Sequence, residues 1–383
     1  EINSLKGNKQ LSIVAIYGGQ AISQQFRSLK KGVDIVVGTP GRIIDHINRG
    51  SLKLDRISFL VLDEADEMLN MGFIDDVREI MAATNSEKRT MLFSATIPRE
   101  IIQIAKKYMK EHEIFRVDSK ELTSAQTDQI YFEVSNADKF EALCRIIDIE
   151  EDLYALIFCR TRLSVGEVSR QLIERGYDAD ALSGEMSQNA REQILQRFKQ
   201  RRINILVATD VAARGIDVQD LTHVINYSLP QDSQSYVHRI GRTGRAGKTG
   251  NAITFITPSE YRRLQVIGRE AKTEIRKAKL PNVRDVIEMK KNRIKSEIED
   301  IVKNELHKDY SAMANDMLKN NNPQDLLAAF LQYTFQDTLD EKKYTEIETS
   351  VIDSQGKTRL FVTHGKNEGL TPKKLISLIV EKC

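Results

Sequence analysis

Asp63, Glu64 and Asp66 stand within four residues of one another, directly after the apolar run Phe59-Leu60-Val61-Leu62. An apolar run of this length reads as a buried strand. Acids just past its carboxyl end are exposed where open α/β sheets bind ligands. One carboxylate there can hold Mg²⁺, and its neighbour can orient a water for attack on a phosphate. The plain alternative is an acidic, solvated turn, and the string alone does not decide between the two.

The elements around it have the same construction. Strands are predicted at 11–17, 33–37, 57–62 and 90–93, each closing in a distinctive cluster: Gly18-Gly19, then Thr39-Pro40-Gly41-Arg42, then the acidic string, then Ser94-Ala95-Thr96. A second series starts near Gln129, with strands at 155–159, 179–183, 203–208, 223–226 and 252–256. Alternation of strand and helix with chemistry at strand ends predicts an α/β protein with parallel sheets covered by helices. The polar stretch 118–128 reads as a linker between two lobes. Beyond about residue 260 the apolar residues take helical spacing, as in Val286, Met289, Ile294, Ile298 and Ile301. These helices either pack on the second lobe or form a separate module with a dimerisation surface. The segment 336–356 reads as a second linker.

The chain has 383 residues, 40% hydrophobic and 29% charged, with a net charge of +2. Two to three domains follow from that length. Bulk charge gives no argument for nucleic-acid binding, so any such site must be local. No apolar stretch is long enough to span a membrane and no secretory leader is visible, so no membrane partner is expected. Cys144, Cys159 and Cys383 fit neither a zinc site nor a disulfide framework, which suits a reducing, cytoplasmic setting. The chain begins at Glu1 without a Met and ends just after the apolar run 375–380. We expect the gene product to be longer.

Taken in order, Gly18-Gly19, TPGR (39–42), VLDEAD (61–66), SAT (94–96), LIFCRT (156–161), Gln188 with Arg191, ATDVAARGID (208–217) and YVHRIGRTGRAG (236–247) resemble the DEAD-box RNA helicases of superfamily 2, in the style of the bacterial cold-shock members. The match covers roughly residues 11–258. The run Arg359-Leu360-Phe361-Val362, with Gly365 and Gly369-Leu370-Thr371-Pro372, resembles the opening of the small RRM-like domain that those helicases carry. The family's adenine-reading Gln motif, P-loop and Pro-Thr-Arg-Glu-Leu-Ala segment are absent from this chain. The string Gly241 to Thr249 imitates a P-loop, but counting back from Gly247 puts Arg242 where the first glycine must stand.

The resemblance implies two RecA-like parallel-sheet lobes, the first incomplete, then a helical extension and the start of an RRM-like α+β domain. The implied boundaries are 1–118, a linker at 119–128, 129–259, 260–335, a linker at 336–356, and 357–383. ATP and Mg²⁺ are the implied cofactors. Asp63 holds Mg²⁺ through water, Glu64 orients the attacking water, and Arg242 and Arg245 act as arginine fingers on the γ-phosphate. Asp66 pairs with Ser94 and Thr96 or with His238, coupling hydrolysis to RNA. Arg239 supports the motif contacts, and Asp217 meets the ATP ribose. Ser94 and Thr96 also suit a helix N-cap before Pro98. Arg239, Arg242 and Arg245 recur every third residue, a spacing that predicts one helix face. A metal role for His238 is not expected, because no His or Cys stands at ligand spacing from it.

RNA contacts are implied at Gly18, Gly19, Thr39, Gly41 and Arg42 in the first lobe, and at Arg160, Gln188, Arg191, Thr209 and Arg214 in the second. Helix N-termini and glycine backbones hold phosphates without reading bases, so the expected grip is independent of sequence. No interleaved aromatic stripe supports base stacking. The expected activity is ATP-dependent local separation of RNA duplexes, in ribosome assembly, mRNA decay or cold adaptation, with ribosomal or RNA-degradation machinery as partners and a homodimer through 260–335. The competing readings are an ATPase-dead RNA clamp or dimeric scaffold, favoured by the missing P-loop, and a DNA helicase of the same superfamily.

Overall fold

The computed structural model describes residues 2–109, 112–116, 127–184, 186–213, 218, 221–244 and 248–347. The chain divides into two compact units, residues 1–119 with 186–192, and residues 120–185 with 193–383.

The first unit runs α1 (Ile2–Leu5), β1 (Ile13–Ile16), α2 (Ile22–Lys30), β2 (Ile35–Gly38), α3 (Pro40–Asn48), β3 (Phe59–Leu62), α4 (Ala65–Asn70), α5 (Ile74–Ala82), β4 (Arg89–Leu92) and α6 (Arg99–Tyr108). Its strands form two separate parallel pairs, β1 with β2 and β3 with β4. Gly38 ends β2 because nothing larger fits. A Cβ there would lie 2.5 Å from Cδ1 of Ile43 and 2.9 Å from the carbonyl oxygen of Ile16. Leu62, Ala65, Val77, Met81, Ile101 and Ile104 build the core under β3 and β4.

The expectation of a buried strand at 59–62 holds for the strand and for one of its faces only. Phe59 and Val61 are 55% and 53% exposed, whereas Leu62 is buried. Strand side chains alternate between faces, and only one face of the β3–β4 pair is covered. Met91 and Phe93 are exposed on the partner strand and the residue after it.

The second unit runs β5 (Thr127–Glu133), α7 (Lys139–Ile149), β6 (Ala155–Phe158), α8 (Arg162–Glu174), β7 (Ala179–Leu182), α9 (Gln188–Lys199, whose first five residues group with the first unit), β8 (Ile205–Ala208), α10 (Asp210–Ala213), β9 (His223–Asn226), α11 (Ser233–Ile240), β10 (Gly250–Ile256), α12 (Tyr261–Glu270), β11 (Arg276–Lys277), α13 (Val283–Lys303), α14 (Ser311–Leu318) and α15 (Pro323–Phe335). A parallel sheet of order β11-β5-β10-β9-β6-β8-β7 organises it. Every residue of β6, β8 and β9 is buried, as a parallel sheet covered on both faces demands. The short β11 was not expected. It adds to β5 through Arg276 and Lys277, and Arg276 Nη2 reaches Asp128 Oδ1 at 2.6 Å.

The reading that these helices pack on the second lobe holds for part of the region. Leu264 and Ile267 of α12 are buried against the sheet, and Val286 and Ile287 of α13 pack with Tyr344. Past Ile287, no residue of α13, α14 or α15 is buried. The stretch 339–347 is not the free linker expected there. Tyr344 is buried and its hydroxyl donates to Asp148 Oδ2 at 2.5 Å. The 119–128 linker lies mostly outside the described residues, and its last two residues already belong to β5. The RRM-like start at 357–383 also lies outside them. No helix among the described residues is long and apolar enough to cross a membrane.

This contrast in burial has a measurable consequence. Ile157 is fully buried in β6 and Phe330 on α15 is 60% exposed. Ile157→Ala is expected to cost about 2–5 kcal/mol of stability in urea unfolding, and Phe330→Ala less than about 0.5 kcal/mol.

Candidate active site and nucleic-acid interface

Glu64 has φ 50° and ψ 47°, the left-handed conformation that bulky residues rarely adopt. The turn lets the chain leave β3 and enter α4 without an intervening loop. Two hydrogen bonds hold it to the neighbouring strand end: Phe93 N–H to the Leu62 carbonyl at 2.8 Å, and Ala65 N–H to the Phe93 carbonyl at 3.0 Å. Backbone strain of this kind persists where surrounding structure over-determines it. The result is that Asp63 and Glu64 are exposed while Asp66 is 1% exposed.

Asp66 is satisfied by the Ser94-Ala95-Thr96 loop. Its Oδ2 accepts from Thr96 N–H at 2.7 Å and from the Thr96 hydroxyl at 2.9 Å. Its Oδ1 accepts from Glu67 N–H at 3.1 Å, and its own N–H donates to Ser94 Oγ at 3.3 Å. The Ser94 hydroxyl donates to the Thr96 carbonyl. The helix-cap reading of Ser94 and Thr96 is corrected: α6 starts after Pro98, with no side-chain cap, because both hydroxyls are already engaged.

Asp63 Oδ1 accepts the Glu64 N–H at 3.0 Å. Among the described residues, no cluster of three or more His, Cys, Asp and Glu could cage a metal. A single exposed carboxylate nevertheless fits Mg²⁺, which keeps most of its waters and takes one or two carboxylates.

In the first unit the predicted RNA-contact residues collect at the carboxyl ends of β1 and β2. Gly18 and Gly19 follow β1 and are exposed, and Gly19 takes φ 82°. Thr39 is the N-cap of α3, Pro40 opens it, and Gly41 and Arg42 lie in its first turn. Thr39 N–H donates to the Ile16 carbonyl at 3.0 Å, tying the two strand ends together. Arg42 reaches back from α3 to the glycine loop, its Nη1 donating to the Gln20 carbonyl at 3.2 Å.

In the second unit Arg160 follows β6 and is exposed, and Thr209 follows β8. In the sheet β6 lies between β9 and β8, the position where the strand order reverses and where ligands bind in such sheets. Arg239 braces this rim. It is 3% exposed, with Nε and Nη2 on the two oxygens of Asp210 at 2.5 and 2.8 Å, and Nη1 on Asn226 Oδ1 at 3.0 Å and the Ser228 carbonyl at 2.9 Å.

The single helix face for Arg239, Arg242 and Arg245 is corrected. α11 ends at Ile240, and Arg242 lies in the following turn, its N–H donating to the Arg239 carbonyl at 3.1 Å. The helix stops because Thr243 is drawn into a bridge with Leu221. His238 sits in the last turn of α11, part-buried. Gln188 opens α9 and donates to Glu192 Oε1 at 2.9 Å. Arg191 lies one turn on and is part-buried, and burial draws its pKa down. Arg214, Asp217 and Arg245 lie outside the described residues.

Asp66→Asn tests the link between the acidic turn and the Ser94-Ala95-Thr96 loop. An amide cannot accept on both sides, so one buried N–H loses its partner, and unfolding should show a loss of about 1–3 kcal/mol. Thr96→Ser keeps the hydroxyl and should lose much less.

Two family patterns match the chain: the one described as DEAD/DEAH box helicase over residues 1–104, and the one described as helicase conserved C-terminal domain over residues 138–247. The ATP-dependent RNA helicase CshA of Listeria monocytogenes is 45% identical over 332 residues, 87% of this chain and 64% of that protein. The DEAD-box ATP-dependent RNA helicase CshA of Geobacillus kaustophilus is 45% identical over 87% of this chain and 71% of its own length. The chain thus spans about two thirds of the length of these curated relatives. Among solved structures, S. cerevisiae Dbp5 bound to RNA and ADP BeF3 matches with a TM-score of 0.65 at 27% identity, covering 74% of each chain. The parallel sheets are RecA-like, and the chain belongs to the family of DEAD-box ATP-dependent RNA helicases.

Proposed function

We propose that this protein hydrolyses ATP to separate short RNA duplexes and remodel RNA–protein complexes locally. The observation that carries the reading is the acidic turn, where left-handed Glu64 presents two carboxylates while Asp66 is fixed to the Ser94-Ala95-Thr96 loop. Phosphoryl transfer needs a placed water and cationic charge far more than covalent chemistry. Glu64 is the residue to orient that water, and Arg242 and Arg245 carry the positive charge. Asp63 would hold Mg²⁺ through its waters. When bound, Mg²⁺ neutralises the charge on the transferring phosphate. Asp217 is assigned to the ribose, His238 to relaying between hydrolysis and RNA, and Arg239 to bracing.

For RNA, the glycines and helix start at 18–19 and 39–42, and separately Arg160, Gln188, Arg191, Thr209 and Arg214, are each assigned to holding the backbone without base readout. Discrimination against DNA then rests on the 2′-hydroxyl. The exposed apolar face of β3–β4 supports reading the active enzyme as a longer polypeptide than this chain, with a further segment supplying the phosphate loop. The apolar residues left exposed on α13, α14 and α15, Phe330 and Tyr333 among them, support a homodimer through 260–335. Ribosome assembly, mRNA decay and cold adaptation, with the ribosomal or RNA-degradation machinery, are the processes we propose for it, because each requires local RNA structure to be removed. A cytoplasmic setting agrees with Cys144 and Cys159, two buried free thiols whose pKa values burial pushes up to about 12.

The test is ATP hydrolysis by the full-length protein containing this chain, with and without single-stranded RNA. RNA should stimulate hydrolysis and single-stranded DNA should not. Glu64→Gln should lower the stimulated rate by about 100-fold or more, the size expected when a group that places the reacting water is lost. An unstimulated protein that still binds RNA would establish the ATPase-dead clamp instead.

A further inference from the structure

We propose that Gln25 is a positioning residue that presets Arg42 and the Gly18-Gly19 loop for an RNA backbone; this rests on the reading of those residues as RNA contacts.

Gln25 is on α2, outside every motif, and is 2% exposed. Its amide meets four partners. Nε2 donates to the Tyr17 carbonyl at 2.9 Å and to Gln20 Oε1 at 3.3 Å. Because a carbonyl only accepts, this fixes which end of the amide faces the glycine loop. Oε1 is then left for Arg42 Nη1 at 3.2 Å and His46 Nε2 at 2.9 Å. Both donors and both lone pairs of the amide are used.

The support behind Gln25 is equally specific. His46 is 0% exposed, with its other ring nitrogen 2.8 Å from Ser51 Oγ and the Phe26 ring set edge-on at 5.1 Å. Burial, reinforced by Arg42 and Arg49 against the pull of Asp45, holds His46 below the usual histidine range. A neutral ring has one N–H, and geometry directs it to Gln25.

The consequence falls on Arg42. Its Nη1 is taken by Gln25 and by the Gln20 carbonyl, and among the described residues its Nη2 makes no hydrogen bond. One amide therefore holds the residues before and after the two glycines and one edge of the guanidinium. A long cationic side chain ordered in advance loses less freedom on binding. Packing alone gives no reason for an amide here. Gln25 occupies the stripe of Ile22, Phe26 and Leu29 on α2, where an apolar residue would serve packing better.

The experiment measures binding of a fluorescent single-stranded RNA to the full-length protein by anisotropy across a salt series. The proteins are wild type, Gln25→Leu, Arg42→Ala, the double variant and Gln25→Glu. Arg42→Ala should weaken binding about 10-fold and flatten the salt slope by about 0.7, the value for neutralising one phosphate fewer on a single strand. Gln25→Leu should show the same flattening, and the double variant should bind as Arg42→Ala does, within about twofold, because the two changes remove one interaction. Gln25→Glu keeps an oxygen toward Arg42 but has no donor for the Tyr17 carbonyl and Gln20 Oε1, and its charge offsets that of Arg42, so it should flatten the slope as Gln25→Leu does. This variant also carries the test if Gln25→Leu does not fold. Wild-type binding by Gln25→Leu, additive losses in the double variant, or a wild-type slope in Gln25→Glu would overturn the proposal. Wild-type binding by Arg42→Ala would overturn the RNA-contact reading itself, and the proposal with it.

Discussion

A carboxylate taken out of water must find donors, and the first unit's site is arranged around where Asp66 finds its own. Removing a charge from solvent is costly unless hydrogen bonds replace the lost hydration. Thr96 supplies two of those bonds and the backbone of Glu67 a third. That requirement holds the Ser94-Ala95-Thr96 loop against the acidic turn. It also gives the left-handed backbone at Glu64 a reason to persist. With the residues on either side tied to the β4 end, Glu64 cannot relax into an ordinary helix start without breaking the bond from Ala65 to Phe93. The exposed pair Asp63 and Glu64 is thus displayed by the buried one.

The second unit uses the opposite charge for the same purpose. Arg239 reaches 3% exposure because Asp210 takes two of its nitrogens and Asn226 and Ser228 take the third. These partners follow β8 or close β9, so one guanidinium ties neighbouring strand ends together. Its plane also lies 5.0 Å from the Phe158 ring at the end of β6. Bidentate pairing is what distinguishes arginine here from lysine. Arg239 cannot also meet a nucleotide while these bonds stand.

The strands and their order of motifs were legible because parallel strands buried on both faces read as short apolar runs, and β9 at 223–226 was legible to the residue. The placement of Asp66 beside Ser94 and Thr96 was legible from the family resemblance. Other features were not, for identifiable reasons. Recurrence every third residue suggests a helix for Arg239, Arg242 and Arg245, but a bridge between Thr243 and Leu221, distant in sequence, ends it. Two charged residues, Arg276 and Lys277, carry no strand signal and become β11 only because β5 offers an edge. Exposure of Phe59 and Val61 is invisible to an apolar run, since composition does not say which faces find cover. Gln25 left one trace, a polar residue on an apolar helix stripe, which is easily taken for noise.

The helical region shows how a sequence pattern can be correct and still not say what packs against what. The amphipathic spacing of α13 continues along the helix, yet its burial stops after Ile287. What holds its base is polar. Lys290 Nζ lies 3.1 Å from Asp148 Oδ2, the oxygen that also accepts from Tyr344. Arg293 donates to the Asp148 carbonyl at 2.9 Å, and Arg145 to the carbonyls of Pro281 and Thr345 at 3.1 and 2.5 Å. The chain therefore stays on α7 from Pro281 through Arg293 and returns to it at Tyr344 and Thr345. The stretch from Ile294 to Phe335 is an excursion tethered at both ends on one helix of the sheet domain. Because the tethers are buried and mutually paired, releasing one would strand the charge of another, so the two ends stay docked together. The apolar residues of α14 and α15 are then carried on a fixed base, which limits the ordering cost of covering them.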